Sequence, residues 1–208
     1  MISHTTAAEP SGAVVGLVIA GGRSARFGGE KAVALLAGRP LLLWAAERLQ
    51  QSCSAVAVNA RAGTLAESLA RDAGLPVLHD EAGDATGPLA GVKVGLRWAR
   101  GLRARALAVS PCDVPLLTAE VFRQLIDAAG TGAALAVTSD GRQPLCSVWP
   151  VSALAEVTQA LTDGKHPPTW QLLESLGAVA VPFSDPTAFT NVNTRADLAR
   201  IAERFYQR

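Results

Sequence analysis

One segment near the start of the chain constrains the fold more than any other: residues 14–31 read VVGLVIAGGRSARFGGEK. Residues 14–20 form an apolar, β-branched run with the length of a buried strand. Gly21 and Gly22 follow, and paired glycines predict a turn that few other residues adopt. A chain that turns there exposes its backbone N–H groups to a ligand. The segment therefore predicts a strand that ends in a glycine-lined bend.

Three basic side chains follow this bend within ten residues: Arg23, Arg26 and Lys31. Together with the backbone N–H groups they predict a concave site of positive potential that suits a polyphosphate. The spacing excludes a P-loop, because Ala32 rather than Ser or Thr follows Lys31. A Gly-x-Gly-x-x-Gly dinucleotide motif is also missing after this strand. The alternative reading is a glycine turn beside a solvated cationic surface.

The length and composition of the chain fit one domain with a sizeable core. Hydrophobic residues make up 49% of the 208 residues, but no apolar run approaches the ~20 residues of a membrane span. The formal net charge of +1, without a long basic stripe, argues against nucleic acid as a partner. We expect residues 1–12 to form a flexible tail and residues 13–208 a single domain. Its nucleotide-binding half covers about 13–130 and its acceptor-binding half about 131–208.

The cysteine pattern indicates a reducing compartment. Cys53, Cys112 and Cys146 are odd in number and far apart, so they support neither a disulfide framework nor a zinc site. Residues 1–12 contain no Lys or Arg, so the apolar run that follows lacks the basic start of a signal peptide. We therefore expect a cytoplasmic protein without a membrane partner.

Apolar periodicity alternates between strand and helix over the first two thirds of the chain. This alternation predicts an α/β fold with a parallel sheet covered on both faces, where ligands bind beyond the carboxyl ends of the strands. The predicted strands after the first cover residues 55–59, 75–79 and 107–110. The predicted helices cover residues 40–52, the surroundings of Leu65 and Leu69, the turns that carry Leu89, Val92 and Leu96, and a segment that begins near Thr118.

The pattern changes after an apolar run at residues 133–138. A turn signal at 139–141 predicts that residues 144–149 return antiparallel, as a hairpin or a strand of a mixed sheet. Leu154 to Leu161 then predict a helix that Gly164 closes. The final helix is expected to begin at Thr194, with Asp197 completing a variant of the capping box and Leu198, Ile201, Ala202 and Phe205 forming its buried face.

Several polar residues follow predicted strands and are expected at one edge of the sheet. Asp113, in the sequence S-P-C-D-V-P, is a candidate ligand for Mg²⁺, which prefers one or two carboxylates together with phosphate oxygens and water. Asn59 and Asp80 are candidates for contacts with a base and ribose, and Asp80 suits either group. Taken singly, each is also an ordinary turn residue, and His79 suits a structural role.

Other candidates lie in loops. The segment T-G-P-L-A-G allows close approach of the backbone near Pro88 and Leu89, or simply begins a helix. Asn191 and Asn193, in F-T-N-V-N-T, can pin their loop, join the phosphate site or line a pocket for the second substrate. Arg142 is a candidate anion contact for that substrate, and an exposed turn arginine is its plain alternative. Lys165 and His166 are likewise either anion contacts for the second substrate or ordinary exposed residues.

The ordered set of motifs resembles the molybdenum cofactor guanylyltransferase family over about residues 14–202. This sequence departs from the family pattern at Phe27, Glu30 and Gln143, where methionine, aspartate and histidine are common. The matching segments are I-A-G-G-R-S-A-R-F-G-G-E-K, the strand-end Asn59, H-D ending at Asp80, G-P-L-A-G, P-C-D-V-P, G-R-Q-P-L-C-S-V-W and F-T-N-V-N-T-R-A-D-L.

The resemblance implies a Rossmann-like nucleotidyltransferase fold with three α/β/α layers and a mostly parallel, mixed sheet. It also implies transfer of GMP from GTP to the terminal phosphate of molybdopterin, with Mg²⁺ at Asp113 and with Lys31 and Arg23 stabilising the departing pyrophosphate. Nucleotide contacts are expected at Ile19, Ala20, Gly21, Gly22, Lys31, Asn59, Asp80, Pro88, Leu89 and Asp113, and acceptor contacts at Arg26, Arg142, Asn191 and Asn193.

Two other functions are compatible with the same residues. One is a cytidylyltransferase, or another nucleotidyltransferase that acts on a related phosphorylated cofactor or sugar phosphate. The other is a protein that binds a nucleotide without catalysis. Transient contacts with proteins that assemble or carry the molybdenum cofactor are a further expectation.

Overall fold

A seven-stranded sheet with helices on both faces forms the centre of the computed structural model, which describes residues 12–22, 26–83, 87–162 and 165–205. Residues 1–11 of the predicted tail, together with Arg23 and Gly164, lie outside these ranges. The α/β class and the three-layer arrangement predicted from the sequence are confirmed.

The chain alternates strands and helices through most of its length. The strands are β1 (Val14–Ile19), β2 (Leu35–Leu36), β3 (Arg39–Pro40), β4 (Val56–Asn59), β5 (Val77–Leu78), β6 (Ala106–Pro111), β7 (Ala134–Thr138), β8 (Gly141–Pro150) and β9 (Val179–Pro182). The α-helices are α1 (Leu41–Gln50), α2 (Leu65–Asp72), α3 (Pro88–Gly101), α4 (Ala119–Ala129), α5 (Leu154–Ala160), α6 (Thr169–Ser175) and α7 (Arg195–Phe205).

The large sheet has the strand order β5-β4-β1-β6-β8-β7-β9. β1 pairs in parallel with β4 and β6, whereas β8 pairs antiparallel with both β6 and β7. β9 is parallel to β7, so β8 alone runs against the other strands of this sheet. The predicted return of the chain after residue 141 is this reversed strand, and the sheet is mixed as expected.

The register of the central strands brings their carboxyl ends together. Ile19 lies beside both Asn59 and Pro111, and Asn59 lies beside Leu78. The polar residues that follow these positions therefore meet at one edge of the sheet, where ligands of open α/β sheets bind.

Successive residues of the strands point to opposite faces of the sheet and pack into two apolar layers. Val18 of β1 faces α1, α2 and α4, and its neighbour Leu17 faces α3 and α5; both side chains are fully buried. A smaller cluster under α7 contains Phe27 and Ile201, with Leu198 and Ala202 packed against it. This cluster covers three of the four residues that the sequence assigned to the buried face of the last helix.

Some elements differ from the sequence predictions. The hairpin of β2 and β3, the helix α6 and the edge strand β9 were not predicted. The helix α1 begins at Leu41, and Pro40 precedes it as the cap residue. Thr118 is the N-cap residue of α4 as predicted, but its side chain does not form a capping hydrogen bond.

Two further properties concern the apolar character of the helices and the state of the cysteines. Of the helices that the structure describes, none combines the length and the apolar character needed to cross a bilayer. Cys53, Cys112 and Cys146 are all free thiols, and Cys112 and Cys146 are buried.

Gly95 allows α3 to pack closely on the sheet. A Cβ atom at this position would lie 2.6 Å from Leu17 Cδ2 and 2.8 Å from Leu107 Cδ2. We expect Gly95→Ala to lower the free energy of unfolding by about 1 kcal/mol or more, because overpacking outweighs the gain in helix propensity. Gly101→Ala is the control, because a Cβ atom at this position of the same helix would lie in open space. It should leave the midpoint of urea unfolding unchanged or raise it slightly. Equal midpoints for the two variants would contradict this account.

Candidate active site at the carboxyl edge of the sheet

A cleft of about 380 Å³ opens at the carboxyl ends of β1, β4 and β6. It gathers most of the residues that the sequence assigned to a nucleotide. Leu89 is an exception, because its side chain is fully buried in the core layer under α3. The lining consists of Ile19, Ala20, Gly21, Gly22, Lys31, Ala32, Asn59, Arg61, Asp80, Gly87, Pro88, Pro111, Cys112, Asp113 and Leu145.

The glycine bend forms one wall of this cleft, but for a different reason from the one predicted. Neither Gly21 nor Gly22 adopts the left-handed backbone conformation, so the expectation of a turn restricted to glycine is wrong. A Cβ atom on Gly22 would meet nothing within 4 Å, and one on Gly21 would meet only Asn59 Oδ1, at 3.6 Å. What the two glycines provide is open space, in which a ligand can approach the backbone closely.

Glu30 ties the loop after the bend to a neighbouring helix. Its two carboxylate oxygens accept hydrogen bonds from the backbone N–H groups of Leu65 (3.0 Å) and Ala66 (2.9 Å), at the N-terminus of α2. A carboxylate is favourable at this end of a helix, where backbone donors are unsatisfied. The contact anchors the residue directly before Lys31, and gives the glutamate that departs from the family pattern a defined role.

Lys31 and Asp113 meet inside the cleft. Lys31 Nζ lies 2.5 Å from Asp113 Oδ2 and donates a second hydrogen bond to Asn193 Oδ1 at 3.3 Å. The exposed fractions of the two charged side chains are 13% and 19%, so water screens the pair only weakly. The loop that carries Asn193 is held in place because the Val192 N–H donates to the backbone oxygen of Asp113 at 2.8 Å.

Asn59 and Asp80 form a second polar pair. Asn59 Nδ2 donates to Asp80 Oδ1 at 2.8 Å and to the backbone oxygen of Leu78 at 3.2 Å. Only 4% of Asn59 is exposed, so its orientation is fixed by these bonds and by its packing. Asp80 itself is exposed, and its carboxylate keeps acceptor capacity for a ligand.

Two histidines near the cleft have structural partners. His79 Nδ1 lies 2.9 Å from the backbone oxygen of Ala60, and its Nε2 lies 3.1 Å from Glu67 Oε1. His166 Nε2 accepts a hydrogen bond from the Leu89 N–H at 3.3 Å, at the first turn of α3. Both rings therefore hold neighbouring segments in place, which agrees with the structural role expected of His79.

The sequence profile of the MobA-like NTP transferase domain matches residues 16–179 of this chain. The chain belongs to this family. It is similar to molybdenum cofactor guanylyltransferases from Cereibacter sphaeroides, with 39% identity over 189 residues (89% of this chain and 93% of the relative), and from Rhodobacter capsulatus, with 36% identity over 197 residues (93% and 97%).

A solved structure agrees with this assignment. The molybdopterin-guanine dinucleotide biosynthesis protein A from Archaeoglobus fulgidus superimposes with a TM-score of 0.76 at 25% identity, and the match covers 93% of this chain and 100% of that one. The resemblance inferred from the motifs is thus confirmed at the level of the MobA-like family and its Rossmann-like fold.

The four residues that the sequence assigned to the acceptor are not among those that line the cleft. Asn193 contacts Lys31, as described, whereas Arg142 stacks on the Trp170 ring (4.9 Å to its centroid) and pairs with Glu174 at 3.4 Å. Arg26 and Asn191 are exposed. Of these four, Asn193 alone belongs to the charged centre of this MobA-like site.

Arg61, Cys112 and Leu145 line the cleft but were not among the predicted site residues. Arg61 follows Asn59 by two residues, so the rule that strand ends gather at one edge was sufficient to find it. Burial raises the pKa of the Cys112 thiol to about 12. Cys112 is therefore an uncharged part of the wall rather than a nucleophile.

The predicted capping box of α7 is present and ends the loop of Asn193. Asp197 Oδ2 accepts hydrogen bonds from the N–H groups of Asn193 (3.1 Å) and Thr194 (2.8 Å), and Thr194 Oγ1 accepts one from the Asp197 N–H. The pKa of Asp197 is lowered from 3.8 to about 2. The hydrogen bond with the Thr194 side chain is the largest cause, the Asn193 N–H adds to it, and desolvation opposes it.

This lowered pKa predicts a pH dependence of stability. The capping contribution is complete above the unfolded pKa of Asp197 and is lost as the pH falls from about 4 towards about 2. We expect the melting temperature of Asp197→Asn to fall less than that of the wild-type protein over this interval, because the amide does not titrate. Thermal unfolding followed by circular dichroism in steps of pH is the measurement. Parallel curves would show that the charge of Asp197 does not contribute to the stability of the protein in this pH interval.

Proposed function

We propose that this chain transfers GMP from GTP to the terminal phosphate of molybdopterin, which releases pyrophosphate and gives the guanine dinucleotide form of the cofactor. The relatives named molybdenum cofactor guanylyltransferase support this assignment, because each match covers almost the whole of both chains. The observation that carries the proposal is the convergence of the glycine bend, Lys31 and Asp113 in one cleft. A cytoplasmic location is part of the same proposal.

The oxygen donors around Asp113 fit a magnesium ion. Among the residues that the structure describes, no group of three or more His, Cys, Asp or Glu side chains surrounds a common point. A hard ion held by one carboxylate needs its remaining ligands from phosphate oxygens and water, which is how Mg²⁺ binds in nucleotide sites. Asp113 would hold it, with the amide oxygen of Asn193 nearby. Bound there, Mg²⁺ would offset negative charge on the triphosphate.

The remaining cleft residues would orient the nucleotide. The triphosphate would lie along Gly21 and Gly22, close to the cations of Lys31 and Arg61. Asp80 would accept hydrogen bonds from guanine or from ribose hydroxyls, with Asn59 fixing its carboxylate. Pro88 would bound the base side of the cleft, and Arg23 would join the pyrophosphate contacts.

The resting ion pair shapes how the substrate enters. Lys31 Nζ is bonded to Asp113, so it must turn towards the phosphate oxygens when the nucleotide binds. The attacking group is a phosphate that is already anionic, so no general base is needed. The work of the protein is to align two polyanions and to offset their repulsion. Arg26, Asn191 and Arg142 would contribute to holding the acceptor.

Nucleotide selectivity tests the proposal. We expect GTP with Mg²⁺ to raise the melting temperature more than CTP, ATP or UTP at the same concentration, because a ligand that binds only the folded state stabilises it more the more tightly it binds. Addition of molybdopterin to the GTP complex should then release pyrophosphate. A larger shift with CTP would identify a cytidylyltransferase. GTP binding without pyrophosphate release would identify a binding protein.

Asp113→Ala and Lys31→Ala should differ in their effect on GTP binding. We expect Asp113→Ala to lower kcat by about 100-fold or more but to leave metal-free GTP affinity unchanged or higher, because Lys31 loses its anionic partner. Lys31→Ala should weaken GTP binding by about tenfold or more, through loss of a charged hydrogen bond. Titration calorimetry with and without Mg²⁺ separates these effects.

Arg123→Ala provides the control for both variants. Arg123 is an exposed cation on α4 that pairs with Glu120, away from the cleft lining. Its removal should leave binding and turnover as in the wild-type protein. Wild-type rates in Asp113→Ala at saturating Mg²⁺ would remove Asp113 from the proposed mechanism.

A further inference from the structure

A buried cation on α3 lies outside the residues assigned to the reaction. Lys93 is only 5% exposed, and its Nζ lies 3.0 Å from Glu81 Oε2. Arg97, one helical turn later, pairs with the other carboxylate oxygen, Glu81 Oε1. Two cations of one helix thus form ion pairs with the two oxygens of a single carboxylate. Burial of a lysine carries a desolvation cost, so its presence here calls for a reason beyond core packing.

The partner of Lys93 lies directly after a proposed nucleotide contact. Glu81 follows Asp80, whose Oδ1 accepts the hydrogen bond from Asn59. Glu81 is also the one residue of the segment 79–83 that is not exposed. Apolar burial therefore does not hold this segment in place. Polar contacts do: Asp80 is bonded to the buried Asn59, and Glu81 is paired with the buried Lys93.

The same helix also fixes the other side of Asp80. Gly91 packs against Asn59 so closely that a Cβ atom there would lie 2.5 Å from Asn59 Oδ1 and 2.8 Å from Ile19 Cδ1. One side of Asp80 is thus held through Asn59, which lies against Gly91, and the other through Glu81, which is held by Lys93. Gly91 and Lys93 are two residues apart on α3, so one rigid helix sets both neighbours of the Asp80 carboxylate.

We propose that Lys93 is a positioning residue for nucleotide recognition, which acts through Glu81 to hold the Asp80 carboxylate in the orientation that accepts hydrogen bonds from the nucleotide. This inference rests on the proposed function, because it requires Asp80 to contact GTP. Arg97 alone would hold Glu81 less firmly, since 47% of its side chain is exposed and exposed ion pairs contribute little.

Substitution by methionine separates positioning from folding. Lys93→Met keeps an unbranched chain of similar length in the buried position, and Glu81 keeps Arg97 as its partner. Removal of one partner of an ion pair is costly when it leaves the other charge buried and unpaired, but Glu81 is 35% exposed and keeps Arg97, and the desolvation cost of the lysine itself is removed. We therefore expect the melting temperature of Lys93→Met to equal or exceed that of the wild-type protein, while the affinity for GTP falls.

Titration calorimetry with GTP and Mg²⁺ tests the inference. We expect Lys93→Met to raise the Kd by about tenfold, as the loss of a supporting partner commonly does, and kcat at saturation to stay within about twofold. Glu81→Gln should raise the Kd similarly, and the double variant should show little further change, because residues that act in one network are not additive. Arg100→Met removes an exposed cation from the last turn of the same helix and serves as the control.

The outcomes are distinct. If the wild-type protein does not bind GTP, the proposed function fails and this inference fails with it. If the wild-type protein binds GTP but Lys93→Met binds equally well, only the inference is overturned. Additive effects of Lys93→Met and Glu81→Gln would also overturn it, because Lys93 would then act by another route, as would an equal loss of affinity in Arg100→Met.

Discussion

The contact between Lys31 and Asp113 is the interaction on which the site depends. Each charge is largely withdrawn from water, and each would be costly without the other. At a separation of 2.5 Å, the pair joins the loop after β1 to the end of β6, and Asn193 adds the loop before α7. Three distant parts of the sequence are thereby held around one point. Within this pair the positive charge of Lys31 and the negative charge of Asp113 balance each other.

The helix α3 gives the opposite side of the cleft its rigidity. It begins at Pro88, which lines the cleft; Gly91 lets it lie against the strand-end residues Ile19 and Asn59, and Gly95 lets it pack on Leu17 and Leu107 in the core. His166 closes its first turn by accepting a hydrogen bond from a backbone N–H. The first turn of this helix thus contacts residues of the cleft lining, while Gly95 and the apolar side chains pack in the core. Preorganised supports of this kind let a site act without rearrangement during the reaction.

The sequence was sufficient to predict the central sheet and the edge at which the site lies. Apolar runs such as β1 and β6 are short and are followed by glycine or proline, as expected of covered strands, and the polar residues that follow parallel strands meet at one edge of the sheet. The edge strand β9 was not predicted because it is only four residues long and largely exposed, so it lacks a clear apolar pattern. The role of Glu30 escaped as well, because its partners lie 35 and 36 residues away. Contacts of this kind depend on which helix start faces which loop, and local patterns carry no record of that.

The hydrogen bond from the Val192 N–H to the Asp113 backbone oxygen also bears on how the protein matures during synthesis. A ribosome releases the strands β1, β4 and β6 well before the loop that contains Val192, so an emerging chain can assemble the sheet while this support is still missing. The backbone oxygen of Asp113 gains this partner only once the segment that carries Val192 has been synthesised, so residues near the carboxyl end of the chain complete the surroundings of an aspartate that lies near its middle.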